Sequence, residues 1–444
     1  MRRLAWVAAF AQGVVWCAQG VPWTPEVGGD GDGDWDGRAL IRRELRRSVA
    51  AYPAVAGDAE AKAQVLGLAR YVDQLVCYVG GRLFVTAEFL QQSKHKKHAM
   101  LVLTARRLAE LPSACYLFER DSTGSDGWRL RTGGDPARVP LVVISKKRGY
   151  GRPGILAPNP FFEAGNVTKW GRFADFLRRE GVARPWGRRV ARVFWRGNIG
   201  AHGPNPDYDF CDRDSGNYAR LEAVSLTLSR PDLFDVRCQK CSPRNVSLHP
   251  CAADALDAPM RAVLADSRNV RDEAWVNPKD YGAYRALLNL PGTTAGGYSR
   301  NLNHLWVLGA PVLLWDAPLV EFYYPALRAG ASHLAVDRSD AATTAAAVLQ
   351  DADAAAHLAK GAADVYDAHL CPRCLADYLK DAYDAMRDRF RLGAVLDGVT
   401  DAPAFLREVA CAAQGPVDFH EVFDGHHEVT SAPVALPPCR RRES

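Results

Sequence analysis

Short apolar runs alternate with helical spacings along the chain. From Ala39 to Val76 helix formers dominate, and Val65, Leu68, Ala69 and Val72 recur at helical spacing, which predicts surface helix. The basic run Lys94-His95-Lys96-Lys97-His98 reads as a solvated helix face leading into the amphipathic stretch Ala99 to Leu111. Strand signals begin near Pro140, where Leu141-Val142-Val143-Ile144 is a continuous, largely β-branched run bounded by Pro140 and the turn-rich stretch from Lys146 to Gly154. A buried parallel strand fits such a run best. Similar runs at Val190 to Trp195 and Val312 to Trp315 are separated by helical patterns at Arg220 to Leu228 and Asn301 to Leu308, the alternation of an α/β protein. Ala341 to Phe390 is Ala-rich and helical, with a break at Cys371-Pro372. From Gly415 to Ser444 Pro, Gly and charge leave little core, so a loosely packed tail is predicted.

Length turns this alternation into two or three packed units, because 444 residues exceed a single domain's usual size. Apolar residues at 48% and charged residues at 24% exclude wholesale disorder. Lys and Arg number 56 against 51 Asp and Glu, and a net charge of +5 is too weak a field to imply nucleic-acid binding. At the N-terminus Arg2-Arg3 precede an apolar run from Leu4 to Ala18, with small residues at Ala18 and Gly20, so residues 1–20 read as a cleaved secretory signal. The run falls short of the roughly 20 residues of a membrane helix, and no later stretch looks transmembrane. The sequons Asn166-Val167-Thr168 and Asn245-Val246-Ser247 agree with a lumenal destination in the endoplasmic reticulum or Golgi, or with secretion.

Of 11 cysteines, Cys17 would leave with the signal, and the even remainder reads as disulfides in an oxidising lumen. Cys238-Gln239-Lys240-Cys241 and Cys371-Pro372-Arg373-Cys374 also have the spacing of zinc knuckles or redox dithiols, and His420, His426 and His427 could join a zinc site. The pairs lie farther apart than a knuckle's usual spacing, and neither sits in a thioredoxin-like strand and helix pattern. Gly28 to Gly37 opens like a calcium loop through Asp32, Asp34, Asp36 and Gly37, but Arg43 stands where the bidentate Glu belongs; residues 21–38 therefore read as an acidic Gly/Asp linker.

Three segments concentrate anion-binding or sugar-binding residue types. Phe194-Trp195-Arg196-Gly197-Asn198 joins a guanidinium to accessible backbone N–H groups at a strand end. In Gly292-Thr293-Thr294-Ala295-Gly296-Gly297-Tyr298-Ser299-Arg300 small residues admit a phosphate at the start of the next helix. Glu321-Phe322-Tyr323-Tyr324 sets an acid beside aromatics, which suits adjacent sugar hydroxyls. Taken singly, each has an ordinary structural reading: a surface Arg, a flexible glycine turn, a helix-start Glu beside core aromatics.

In order and spacing these segments resemble glycosyltransferase family 90, the Rumi-type protein O-glucosyltransferases and capsule-associated fungal transferases with a CAP10-like domain. The resemblance runs from about Pro140 to Tyr383. Trp195-Arg196-Gly197-Asn198 matches the Arg-Gly-Ser box; Arg220-Leu221-Glu222-Ala223-Val224-Ser225 and Pro231-Asp232-Leu233-Phe234-Asp235 match the segments after it. Gly297-Tyr298-Ser299-Arg300 matches the donor box, Glu321-Phe322-Tyr323-Tyr324 the Glu-Phe-aromatic-Tyr box, and His333-Leu334-Ala335-Val336, loosely, the last.

The resemblance implies a GT-B-like α/β fold, two Rossmann-like domains facing a cleft, with C-terminal helices. Residues 39–190 would form the acceptor-side domain, 191–395 the donor-binding domain and 396–444 the tail. It implies inverting transfer of glucose or xylose from a UDP-sugar to a hydroxyl of a protein or glycan, with no metal and no cofactor beyond the donor. Arg196, Gly197, Arg220, Gly297, Ser299, Arg300 and Glu321 would bind that donor. The family's general base is an Asp in an Asn-x-Arg-Asp-aromatic-Pro segment, but Ile144-Ser145-Lys146-Lys147-Arg148-Gly149-Tyr150-Gly151 holds no carboxylate, and three cations in a Gly-rich loop read as solvated. The base is thus unassigned: Asp135 could reach in, or the chain could bind donor or glycan without catalysing transfer. Pro291 also replaces the usual Arg or Asp before the donor-box glycine, and that box is longer than in Rumi-type enzymes by about two residues.

Overall fold

The computed structural model describes residues 36–120, 125–148, 153–199, 211, 213, 215–241, 256–272, 274–292, 300–413, 416–425 and 428–439. The signal, all but the end of the acidic linker, Asn245, Gly297, Ser299 and the segment 149–152 lie outside the described residues.

Strands begin well before Pro140. Leu75–Val79 (β1) and Arg82–Thr86 (β2) meet at Gly80-Gly81, whose φ values of 58° and 76° lie where only glycine is at ease, so the two runs close into a tight hairpin with Val79 opposite Arg82. Ala114–Glu119 (β3) pairs antiparallel with β1, and a disulfide joins Cys77 to Cys115 across the register. Leu141–Val143 (β4) is buried and parallel to β3, as its apolar run predicts, and Ile155–Leu156 (β6) continues the parallel edge. Between them Lys146–Lys147 (β5) turns out of this sheet.

The second sheet is wholly parallel. It comprises Val190–Ile199 (β7), Phe234–Cys241 (β8), Tyr284–Asn289 (β9), Val312–Trp315 (β10) and Leu334–Val336 (β12), in the order β12-β10-β9-β7-β8. Helix Gly216–Ser229 lies between β7 and β8, and Arg300–Leu305 between β9 and β10, so the predicted strand and helix alternation holds over this region. Leu319–Val320 (β11) pairs with β5 and ties the two halves together. Both faces are covered: Phe194, Leu287 and Val312 join one apolar cluster, Val193, Trp195 and Leu288 the other.

Three expectations need correction. The C-terminal stretch is no loose tail: Phe419–Gly425 (β13) and Glu428–Pro433 (β14) form a hairpin that completes the seven-stranded first sheet, with Phe419 and Val422 buried and a Cys411–Cys439 disulfide behind it. Alternation of apolar with polar residues suffices for an edge hairpin with one covered face. Helix Pro372–Phe390 shares its apolar cluster with β1, β3 and β4 through Leu375, Leu379, Met386 and Phe390, so chain beyond the second sheet returns to the first half. In helix Ser93–Ala105, His95 and His98 are buried on the inner face, stacked against Phe89 and Phe118 respectively. Spacing of three places both rings on one side, and desolvation lowers each imidazole to a pKa of about 3. The helical reading holds at Asp58–Gly67 and Leu68–Arg70, where Val65, Leu68 and Ala69 form the buried apolar face.

The sequon at Asn166 has a structural role. The residue is 9% exposed, and its side-chain oxygen caps helix Val167–Val182 by accepting from the Lys169 N–H at 2.9 Å. Asp36, the last acid of the linker, caps helix Gly37–Ala50 through the Ala39 N–H.

Candidate functional site at the parallel sheet's switch point

Strand order determines where a ligand fits. From β7, the chain winds to one side through β8 and to the other through β9, β10 and β12, so the direction reverses between β7 and β9. Helices leave opposite faces there, opening a crevice at the strands' carboxyl ends. Those ends are Arg196-Gly197-Asn198-Ile199 on β7 and Asn289, followed by Leu290-Pro291-Gly292, on β9.

The crevice walls are locked from within. Arg220, on helix Gly216–Ser229, donates from Nε to the Pro291 carbonyl at 2.7 Å and from a terminal nitrogen to the Asn198 carbonyl at 2.5 Å, bridging the two strand ends. Its guanidinium lies over the Trp195 ring. A Cβ at Gly197 would strike the same indole, and one at Gly216 would strike the Gly292 carbonyl, so both glycines permit close approach. Arg196 is 5% exposed. It donates to the Asp235 carboxylate at 2.9 Å, the Asp235 carbonyl at 2.7 Å and Asp272 at 2.9 Å, and a ligand would have to displace these partners to reach it. Burial alone would raise the Asp235 carboxyl, but the Tyr284 hydroxyl, Arg196 and Arg237 hold it below the usual range. Arg196, Gly197 and Arg220 therefore build the crevice, with their functional groups facing protein.

Beside the crevice is a cavity of about 430 Å³ at the ends of β9, β10 and β12, lined by Arg213, Tyr218, Glu222, Trp315, Asp316 and Arg338 among others. Glu222 is pushed up to about 7 by burial, with Arg338 opposing and Asp257 and Asp337 adding to the rise. Arg338 donates to the Glu222 carbonyl at 3.0 Å and to Ser225 Oγ at 2.6 Å, and pairs with Asp257. Two aromatic side chains, a carboxyl that titrates near neutrality and exposed Arg213 give a wall suited to a flat ring, hydroxyls and an anion.

Glu321 follows β11 and is fully buried. Its Oε2 accepts from Asn159 Nδ2 at 2.9 Å; Asn159 also exchanges 3.2 Å contacts with Asn303 of helix Arg300–Leu305. Oε1 has no hydrogen-bond partner among the described residues, and burial raises the carboxyl to about 8. Asn159 thus brings the acid box to the helix that starts at Arg300, whereas Gly297 and Ser299 lie outside the described residues and for Arg300 the backbone alone is described.

No known family matches the chain in a scan of protein-family profiles, and no curated protein matches it in sequence. Physical placement must therefore do the work. It joins Arg196 to Asp235 and Arg220 to Asn198, so residues from three of the sequence boxes interlock, while Glu321 is joined through Asn159 to Asn303.

The cation segment is also revised. Lys146 is buried, donates to Ser48 Oγ at 2.6 Å and lies 3.5 Å from Glu44; desolvation lowers its ammonium against that acid's pull. Arg148 pairs with Asp316 at 2.6 Å, and its N–H meets the Pro318 carbonyl. Both are held by the β5–β11 pairing rather than solvated. Asp135 caps the turn Pro136–Arg138 and pairs with Arg138. Sequence reasoning missed Glu222, Trp315, Asp316 and Arg338 as site residues; for Trp315-Asp316 the available signal was their place at the carboxyl end of the predicted run Val312 to Trp315. Among the described residues no three His, Cys, Asp or Glu side chains cluster as metal ligands.

Proposed function

We propose that the protein is a glycosyltransferase that moves glucose or xylose from a UDP-sugar to a hydroxyl of a protein or glycan, with inversion and without a metal. The observation that carries the reading is the switch-point crevice: two of the segments that resemble family 90 meet there, Trp195-Arg196-Gly197-Asn198 at the end of β7 and Arg220 on the helix behind it, which donates to the Asn198 carbonyl and to the Pro291 carbonyl just past β9. In this reading the two sheets are the cores of a GT-B pair, and the donor lies along the second sheet's carboxyl edge. Arg213 of the cavity, and Arg300 as the resemblance implies, would hold the diphosphate, whose negative charge grows as the glycosidic bond breaks, so fixed cations stabilise the transition state more than the ground state. Glu222, Asp257, Asp316 and Asp337 are the carboxylates that line the cavity, and Glu222, near 7, is the one matched to taking an acceptor proton. Disulfides Cys77–Cys115 and Cys411–Cys439 are compatible with a lumenal or secreted protein. Among the described residues no helix is long and apolar enough to cross a membrane.

A second reading, a donor-binding or glycan-binding protein without transfer, is favoured by the cation segment, where Lys146 and Arg148 stand in place of the family's carboxylate. A screen of donor hydrolysis and transfer over UDP-glucose, UDP-xylose and UDP-galactose separates the two. Turnover lost in Glu222→Gln supports the enzyme; UDP binding without turnover supports the binder; neither binding nor turnover removes both.

A further inference from the structure

The recess beside the disulfide Cys371–Cys374 shares no lining residue with the cavity of Glu222, and the bond's chemistry is independent of the glycosyltransferase reading. We propose that Cys371-Pro372-Arg373-Cys374 is a thiol–disulfide exchange site whose co-reactants are protein or peptide dithiols and disulfides.

As a staple this bond does little. It joins residues 3 apart in sequence, whereas Cys77–Cys115 and Cys411–Cys439 span 38 and 28, and closing so short a loop removes the least entropy from the unfolded chain. Cys77 and Cys115 are fully buried between strands, while Cys371 and Cys374 are partly exposed. Cys374 faces a recess of about 210 Å³ that His369, Arg38 and Tyr378 also line.

Both sulfurs are provided for after reduction. Cys371 is the N-cap of the 19-residue helix Pro372–Phe390, and its Sγ accepts the Cys374 N–H at 3.1 Å. A thiolate at Cys371 keeps that hydrogen bond and gains the favourable end of the helix dipole, the setting that lowers a thiol's pKa. Cys374 Sγ lies 3.4 Å from the Asp367 carbonyl in the π-helical turn Tyr366–Leu370, so a reduced thiol has an acceptor in place. The structure thus stabilises a leaving thiolate at Cys371 and exposes the other sulfur to attack.

A partner thiolate attacks Cys374 Sγ; the new S–S bond forms there, the Cys371–Cys374 bond breaks, and the electron pair leaves on Cys371. The partner's second thiolate then attacks its own sulfur in the mixed disulfide and expels Cys374, which takes up a proton. Two electrons pass from the partner dithiol to the cysteine pair, one of the dithiol's protons goes to Cys374 and the other to solvent while Cys371 stays a thiolate, and the partner becomes a disulfide. The reverse sequence reduces a partner disulfide.

The test equilibrates the full-length wild-type protein in graded glutathione and glutathione disulfide, then alkylates, digests and weighs the cysteine peptides. Cys371–Cys374 should be half reduced at a ratio of squared glutathione to glutathione disulfide at least about tenfold lower than either other disulfide requires. Catalytic amounts of wild type should also speed oxidation of a reduced dithiol peptide by glutathione disulfide at least about tenfold over Cys371→Ser/Cys374→Ser. Opening of the pair only together with Cys77–Cys115 and Cys411–Cys439 overturns the proposal, and so does equal peptide oxidation by wild type and variant. The glutathione equilibrium uses wild type alone, so it decides the matter even if the variant fails to fold.

Discussion

Glu321→Gln should make the protein more stable at neutral and alkaline pH, and by an amount that grows with pH. Glu321 is fully buried, with Asn159 as its hydrogen-bond donor at Oε2. Burial raises its pKa from 4.5 to about 8, so folding favours the protonated acid. The sign follows: this contribution to stability is complete below about pH 4.5 and is lost as pH rises through about 8. At about 1.4 kcal/mol per pKa unit, ionisation costs about 3 kcal/mol at pH 7 and about 5 kcal/mol above pH 8. Glutamine keeps an oxygen for Asn159 and cannot ionise. Urea unfolding of wild type and variant from pH 5 to 9 should show their difference widening by about 1.4 kcal/mol per pH unit up to about pH 8. A difference constant across that range would refute the protonated, dry Glu321 on which the argument rests.

His95 shows the opposite linkage: its pKa of about 3 lies below the ordinary 6.5, so stability present above pH 6.5 is lost as pH falls towards 3, and His95→Phe should lower the midpoint of an acid-unfolding titration by circular dichroism. Gly197→Ala should destabilise by about 1 to 3 kcal/mol in thermal unfolding, because its Cβ meets the Trp195 indole. Arg220→Met should cost about 3 kcal/mol in urea by leaving the Asn198 and Pro291 carbonyls without their charged donor, and an unchanged midpoint would exclude the bridge between strand ends.

Of the second sheet's five strands, β7 and β10 were legible because they contain continuous apolar runs, whereas β8 alternates apolar with polar residues and gave no such signal. The β1–β2 hairpin was missed although Gly80-Gly81 between Leu75–Val79 and Arg82–Thr86 is the usual signal, because helix formers upstream drew the helical reading across Leu75 and Val76. Charge misled at Lys94 to His98, where composition describes the lysines and spacing decides for the histidines. The C-terminal hairpin escaped because an edge strand needs few apolar residues and its partner β2 lies hundreds of positions earlier. For the site, sequence located the strand end at Arg196 but could not tell that Arg196 and Arg220 are consumed by Asp235, Asp272 and backbone carbonyls. Partners of that kind depend on the sheet's register, which no local pattern encodes. The cavity of Glu222, Trp315 and Arg338 is likewise assembled from three separate strand ends and two helices, Gly216–Ser229 and Ala258–Ala265.

The central claim is that a nucleotide sugar binds at the carboxyl edge of the parallel sheet, beside the helix that starts at Arg300. Calorimetric titration of UDP into the wild-type protein and into Arg300→Ala tests it most directly. The account predicts saturable binding to wild type and a loss of about 1.5 to 3 kcal/mol in the variant, roughly 10-fold to 150-fold in affinity, with Arg300→Lys recovering part of it. No saturable UDP binding by wild type, or equal affinity in a folded Arg300→Ala protein, would contradict it.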